Sequence, residues 1–393
     1  MKIKNRILKM QQYKTELISV LLTIILIFTI LLLKAQTSNS DFERINLGTG
    51  EIEYSGISVS PDKNTIAIST KNDAPVFIFD WKNKKVIHEF NAGNWNSGSR
   101  IFYSEKGKYL LLQELGNRDY SLNQPREIAF EIIDASNGNH IRKFENVQDV
   151  LISSDEQFAV CLAGEYVQFI NLASGSEVKK IAVPGAVNAI ALSPDGKLLA
   201  VAEKISGDYL KNNFRGDKKG AKLAEKTRQL VSFYDVETGS KLRTVTELYE
   251  IIFKLRFTPD GEFIIVSQTP EISTQVANKK ISYFNMIDVA TAEPVRRGFT
   301  SMSINQPALH FSADRKYFAI NSKGQKFQEI HLYDSETATL QKRFELGKRI
   351  FEKVDSEKIF GDSRPSFAFL PGEQAILIAM GNQFLVWNFE IDE

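Results

Sequence analysis

The chain has 393 residues with 49 Lys or Arg, 48 Asp or Glu and a single Cys, for a formal net charge of +1. One cysteine excludes an intrachain disulfide framework and gives no ground for a disulfide-linked partner, while the 43% hydrophobic content, rich in Phe (27) and Tyr (12), suffices for a sizeable core of strands. Residues 1–35 hold six Lys or Arg and one Glu, so the remainder carries 43 basic and 47 acidic side chains, a poor balance for binding nucleic acid.

Residues 1–16 carry Lys2, Lys4, Arg6, Lys9 and Lys14, and Leu17 to Leu33 follow as 17 residues without a charge. At about 1.5 Å rise per residue this run spans roughly 25 Å as a helix, close to the thickness of a bilayer core. The leading basic cluster keeps that end cytoplasmic and sends the rest across the membrane. The expectation is a hydrophobic helix serving as a membrane anchor in the cell envelope, with the following domain on the extracytoplasmic side. The alternative is a signal peptide cleaved near Ala35, giving a secreted or periplasmic product. The length of the apolar run, and Leu33 where a small residue usually precedes the cut, favour the anchor. Residues 34–40 read as a linker.

From residue 41 to 393 the chain respells one pattern. "SVSPDKNTIAIS", "ALSPDGKLLAVA", "RFTPDGEFIIVS" and "HFSADRKYFAIN" are each two alternating strands joined by a tight turn. Such turns start at Ser60, Ser104, Ser153, Ser193, Thr258, Ser312 and Leu370, spaced by 44, 49, 40, 65, 54 and 58 residues. A second strand–turn–strand element follows each, as in "VFIFDWKNKKVIHEF" and "VSFYDVETGSKLRTV". An acid or amide (Asp80, Asp134, Asn171, Asp235, Asp288, Asp334) closes its first strand, where a side chain accepts from turn amides. Each unit is therefore a four-stranded antiparallel meander, a–b–c–d. The last unit, "FAFLPGEQAILIAMGNQFLVWNFEIDE", supplies three strands only, and "DFERINLGTG" near the start resembles a fourth. The expected fold is all-β, a seven-bladed β-propeller whose last blade is completed by the N-terminal strand, leaving no room for a second domain.

The units resemble WD40 repeats and the related YVTN or quinoprotein-like repeats over essentially the whole chain beyond residue 41. The Gly-His and Trp-Asp dipeptides of WD40 repeats are absent, "VWN" at Val386 to Asn388 coming nearest. The resemblance implies the propeller fold and carries over no functional residue.

Motifs of catalysis are missing: no G-x-S-x-G, H-E-x-x-H, C-x-x-C or phosphate-cradling loop occurs. No cofactor or metal is expected. The histidines (His88, His140, His310, His331) read as structural residues on strands a, c or d of separate blades, and Cys161 as a buried core thiol. Loop lengths say more. Long excursions occur only between b and c or between d and the next a: 91–99, 113–127, 203–229, 268–280, 321–328 and 345–364. In an up-and-down blade these all emerge at one end, so one face of the disc is elaborated and the other smooth. The six loops sum to +6, with the 203–229 insertion at +4, and "KKGAKLAEKTRQL" within it reads as a short helix.

The expected function is a non-catalytic, protein-binding scaffold that meets an anionic partner through this face. Candidate contacts are Trp95, Tyr120, Arg126, Tyr209, Phe214, Arg215, Lys218 and Lys219, read as exposed aromatic and basic anchors. The alternative is a propeller enzyme, lactonase-like or quinoprotein-like, with its site at the funnel mouth.

Overall fold

The computed structural model describes residues 42–115, 127–245, 247–269, 283–299, 308–323, 328–346 and 365–391. Their strands gather into seven antiparallel sheets of four. Six are meanders in chain order, here blades 1 to 6, over residues 54–90, 99–147, 149–182, 186–244, 251–299 and 309–346. Blade 7 takes Ser366–Phe369, Ala375–Met380 and Gln383–Asn388 from the end of the chain and Phe42–Arg44 from its start. There Phe42 stands opposite Trp387 and Arg44 opposite Leu385.

Seven hydrophobic clusters join these sheets in succession. Ile101, Leu110 and Ile133 of blade 2 pack on Ala67, Val76 and Ile78 of blade 1. Farther round, Ile265 and Phe284 of blade 5 meet Phe318 and Tyr333 of blade 6. Leu377 and Phe384 of blade 7 then pack on Ile57, Ile66 and Phe79 of blade 1. Each cluster joins neighbours only and the last blade meets the first, so the sheets form a closed ring, a seven-bladed β-propeller. Alternation along each strand produces this: successive side chains point to opposite faces, and both faces of every blade are covered by another blade.

The tight turns explain why the sequence pattern recurs. In six a–b turns the leading hydroxyl accepts the backbone N–H five residues on, as Leu198 N–H to Ser193 Oγ at 2.9 Å and Phe263 N–H to Thr258 Oγ1 at 3.0 Å. The equivalent bonds at Ser60, Ser104, Ser153 and Ser312 measure 2.9–3.0 Å. In the c–d turns the closing acid accepts turn amides, as Asp235 from Thr238 N–H at 2.6 Å and Asp334 from Thr337 N–H at 2.7 Å. These caps satisfy donors that would otherwise face one another across the turn.

A further regularity holds the rim. Eight residues after each closing acid or amide stands a basic residue or histidine: His88, Arg142, Lys179, Arg243, Arg296 and Lys342. Three of them reach the c–d turn of the next blade. Arg142 donates to Gly175 O at 2.8 Å, Lys179 to Glu237 O at 2.6 Å and Arg243 to Ala290 O at 3.2 Å. Among the described residues no helix is long and apolar enough to cross a membrane. The helix expected at residues 17–33 lies outside the described residues.

Candidate functional site

Every a–b and c–d connection is a tight turn, whereas the b–c and d–a connections, which share the other end of the blades, range from a single residue to the longest excursions of the chain. The largest is the insertion between strands b and c of blade 4. It is folded, with two helices, α1 (Gly207–Asn213) and α2 (Lys218–Thr227). Ser206 caps α1 by accepting the Tyr209 N–H at 3.2 Å, and Asp217 caps α2 by accepting the Gly220 N–H at 2.8 Å. Sequence periodicity indicated α2 but not α1, although the Ser206 cap signal was present. Ile205, Ala224 and Leu230 form a small buried cluster over which Tyr209, Leu210, Phe214 and Leu248 close. Ion pairs fix both roots of the insertion: Lys241 Nζ to buried Glu203 Oε2 at 2.6 Å, and Arg228 Nη1 to Glu250 Oε1 at 3.1 Å. Glu203 also accepts from Ser232 Oγ at 2.8 Å and from the Tyr234 hydroxyl, whose pKa is raised by burial and by that carboxylate.

This packing corrects the expectation that the aromatic candidates stand exposed. Tyr209 and Phe214 are half-buried and hold the insertion to the blade. Trp95 is half-buried too and packs on the cluster between blades 1 and 2, away from the insertion. The burial follows from size: a loop this long keeps its fold only by enclosing apolar groups of its own. Arg215, Lys218 and Lys219 are exposed as expected, together with Lys222 and Leu223, the latter 57% accessible. Tyr120 and Arg126 lie outside the described residues.

The innermost strands bring together a second group that the sequence did not reveal. Strand a of each blade runs toward the smooth face and ends at the turn residue, and positions two and four before that residue point along the ring toward the next blade. In blade 7 the fourth position is Ser366, whose Oγ accepts the Ile57 N–H of blade 1 at 3.1 Å. In blade 3 it is Asp149, whose Oδ2 accepts the Ile190 N–H of blade 4 at 3.2 Å. In blade 1 it is Gly56, where a Cβ would lie 2.7 Å from Ser99 O, so the next blade approaches too closely for any side chain. The same positions supply Arg100 and Phe102 in blade 2, Lys254 and Arg256 in blade 5 and His310 in blade 6. All five are half-buried on the innermost strands.

These side chains cross the central channel. Lys254 Nζ of blade 5 lies 3.5 Å from Asp149 Oδ1 of blade 3. His310 of blade 6 stacks on Phe102 of blade 2 with ring centroids 5.9 Å apart, and meets Phe367 of blade 7 edge-on at 5.0 Å. Arg256 donates to Leu309 O at 3.4 Å and lies 5.9 Å over the Phe311 ring. Burial, reinforced by Arg256, Arg100 and Lys254, pushes the His310 pKa down to about 3, so the ring is neutral at physiological pH.

All four histidines lie on strands a, c or d as expected, but not all on separate blades. His88 and His140 lie on strands d of blades 1 and 2, but His310 and His331 share blade 6. His331 is buried with its Nε2 2.7 Å from Glu329 Oε2. Among the described residues no group of three or more His, Cys, Asp or Glu side chains is placed to hold a metal ion. Cys161 is buried, and burial raises its thiol to about 12, which suits a core packing group.

No protein-family model matches the sequence and no curated protein matches it. Solved structures do match. Hydrazine synthase of Kuenenia stuttgartiensis is similar at TM-score 0.57 and 15% identity, over 88% of this chain and 97% of that one. The Cps50 (Swd1) beta-propeller domain of Myceliophteria thermophila is similar at TM-score 0.55 and 14% identity, over 89% of this chain and all of that one. At such identities the likeness concerns the fold. With no family model matching, the resemblance to WD40 and YVTN repeats is one of architecture.

Proposed function

We propose that this chain is a non-catalytic interaction propeller, exported across the membrane, held there by residues 17–33, and bound to a protein partner through its elaborated face. The observation that carries the reading is the blade 4 insertion. It encloses its own apolar cluster and is pinned at both roots by ion pairs. Arg215, Lys218, Lys219, Lys222 and Leu223 stay exposed on it. A preformed surface of cations around an apolar side chain spares a partner the cost of ordering it and suits an acidic patch.

The fold itself does not choose between scaffold and enzyme, since one structural neighbour is a synthase and the other a propeller domain. The test is capture of envelope proteins by the full-length chain and by a variant with Arg215, Lys218, Lys219 and Lys222 changed to Glu. Loss of a specific partner at low salt supports the reading. An unchanged set of partners, or hydrolytic turnover in an esterase and lactonase screen, defeats it. Membrane tethering is tested separately: intact mass decides whether the chain starts at Met1 or Gln36, and recovery of the protein in the cytosol refutes export.

A further inference from the structure

We propose that the corner of the ring where blade 7 meets blade 1 rests on an anionic lipid surface, through Lys82, Lys84 and Lys85 beside Trp81. The inference rests on the reading of residues 17–33 as an anchor and adds which surface of the propeller faces the bilayer. Strand d of each blade starts from the smooth face. Blade 7 takes its strand d from the start of the chain, antiparallel to strand c, so Phe42 stands where other blades have their c–d turn. Only residues 34–41 separate it from Leu33, and eight extended residues reach at most about 28 Å. The chain therefore enters from the smooth side. The c–d turn of blade 1 lies next to that entry. Trp81 packs on the same cluster as Ile45, just beyond strand d of blade 7, and Glu43 of that strand acts on Lys84.

This turn departs from the other c–d turns in the one place where the anchor arrives. Between its closing acid and strand d blade 1 has Trp81, Lys82, Asn83 and Lys84, and Lys85 opens the strand. The same intervals of blades 2 to 6 hold no Lys, Arg or aromatic residue. All three lysines are exposed, and none forms an ion pair with a described residue. The nearby acids do not cancel them. Asp80 is committed to the Asn83 N–H and Nδ2, both at 2.8 Å, while Glu43 and Glu373 act on Lys84 without pairing with it. Lys84 Nζ stands 3.0 Å over the ring of half-buried Trp81.

Tryptophan and lysine are the side chains that settle at lipid headgroups, and each Lys near an anionic surface strengthens binding about fivefold. The tight turns of the smooth face otherwise carry an excess of acids. Anionic lipid repels those, so the ring does not lie flat and stands tilted on this corner. The elaborated face then points away from the bilayer, where a partner can reach it.

The experiment places the full-length chain in vesicles of phosphatidylcholine with brominated acyl chains, with or without phosphatidylglycerol, and follows tryptophan quenching. Residues 1–40 contain no tryptophan, so the signal comes from the propeller. Quenching should be at least twofold greater in the anionic vesicles, and Trp81→Phe should remove that excess. High salt should remove it too, as should Lys82, Lys84 and Lys85 changed together to Gln. Equal quenching in both vesicles would overturn the proposal, as would an excess that survives in the triple variant. If that variant fails to fold, the parent chain in the two vesicles still decides. Lys218 and Lys219 changed to Gln should leave the excess intact, and its loss there would put the elaborated face on the membrane instead. Flotation separates the two readings. A chain that does not float with the vesicles refutes the anchor and this surface together, whereas one that floats without the excess refutes only the surface.

Discussion

On the smooth face, six of seven a–b turns use the same hydroxyl to accept the same N–H, and the c–d turns repeat one carboxylate or amide cap. On the elaborated face the connections vary widely in length, and the largest is a helical insertion with its own small core. Counted from the sequence, the thirteen tight turns carry 17 acidic and 9 basic residues, whereas the six long loops sum to +6. The difference teaches caution about charge. Many of the acids of the smooth face are caps, their oxygens occupied by turn amides and hydroxyls, so that face is acidic because strands must turn there. In the insertion Arg228 ties a root to Glu250, but Arg215, Lys218, Lys219 and Lys222 are exposed and cap no turn, and theirs is the charge on which the proposed docking rests.

Cutting the ring should break the comparison most severely, because both faces depend on closure. A chain beginning at Ile52 loses Phe42–Arg44 from the edge of blade 7 and buried Leu47 from the cluster between blades 7 and 1. Losing apolar contacts of this kind costs about 3–5 kcal/mol, enough to lower the unfolding midpoint by roughly 10 °C. The exposed strand edge should also promote aggregation. Calorimetry of the two chains checks this, and equal midpoints would show that the N-terminal strand contributes nothing to closure.

Single caps sharpen the contrast at smaller cost. Ser193→Ala removes the acceptor of the half-buried Leu198 N–H and a donor to Asp195 at 2.6 Å. It should lower global stability in urea by about 1–2 kcal/mol. Ser206→Ala on the other face uncaps α1 only. Its midpoint should stay within about 0.5 kcal/mol of the parent while amide exchange in α1 accelerates. Equal global losses from the two changes would erase the distinction between framework turns and grafted loop.

How much was legible follows the same division. Blade count, tight turns, capping acids and loop polarity are local signals that recur within a few residues, so they survive reading one stretch at a time. The channel is the opposite case. Arg100, Asp149, Lys254, Arg256 and His310 meet only after five blades are set around an axis. Nothing near Arg256 in "KLRFTPDG" marks it as inward-facing until strand a is known to be innermost. The half-burial of Trp95, Tyr209 and Phe214 was hidden for a related reason, since aromatic residues in a long loop read alike whether they anchor a partner or the loop itself. The rim contacts of Arg142, Lys179 and Arg243 were legible in principle, as a basic residue at constant distance from each capping acid.

Acid titration probes the smooth face selectively. The carboxylates of Asp62 and Asp195 are held below their usual range chiefly by the Ser60 and Ser193 hydroxyls, and those of Asp80, Asp235 and Asp288 by turn N–H groups. At Asp134 and Asp155 burial acts upward but is outweighed by hydrogen bonds, those of Ser136 and Ser153 foremost. All seven lie in tight turns. Groups with lowered folded values bind fewer protons folded than unfolded, so their contribution is full above the ordinary carboxylate value near ~4 and is lost as pH falls through the folded values. The urea midpoint, corrected for other titrating groups with an Asp195→Asn variant, should therefore decline below about pH 4. A rise in stability over that interval would contradict the capping role.

The smallest effect on stability is expected where the effect on binding is expected to be large. Leu223 on α2 is 57% accessible, while Ala224 beside it is buried in the insertion's cluster. Lys219 and Lys226 lie four residues before and three after Leu223, so helical spacing sets them on the same side. Removing Leu223 by Leu223→Ser uncovers little that water does not already reach, and its stability should remain within about 0.5 kcal/mol of the parent. A leucine ringed by cations is a contact anchor if the insertion is a docking element, and its loss should then speed dissociation of the captured partner at least tenfold, with little change in association rate. Charge reversal at Lys219 should do the converse, slowing association and flattening its dependence on salt. Rates measured for the two variants at several salt concentrations separate these contributions. If neither rate changes in either variant, α2 does not face the partner and the basic surface of the insertion is only solvated charge.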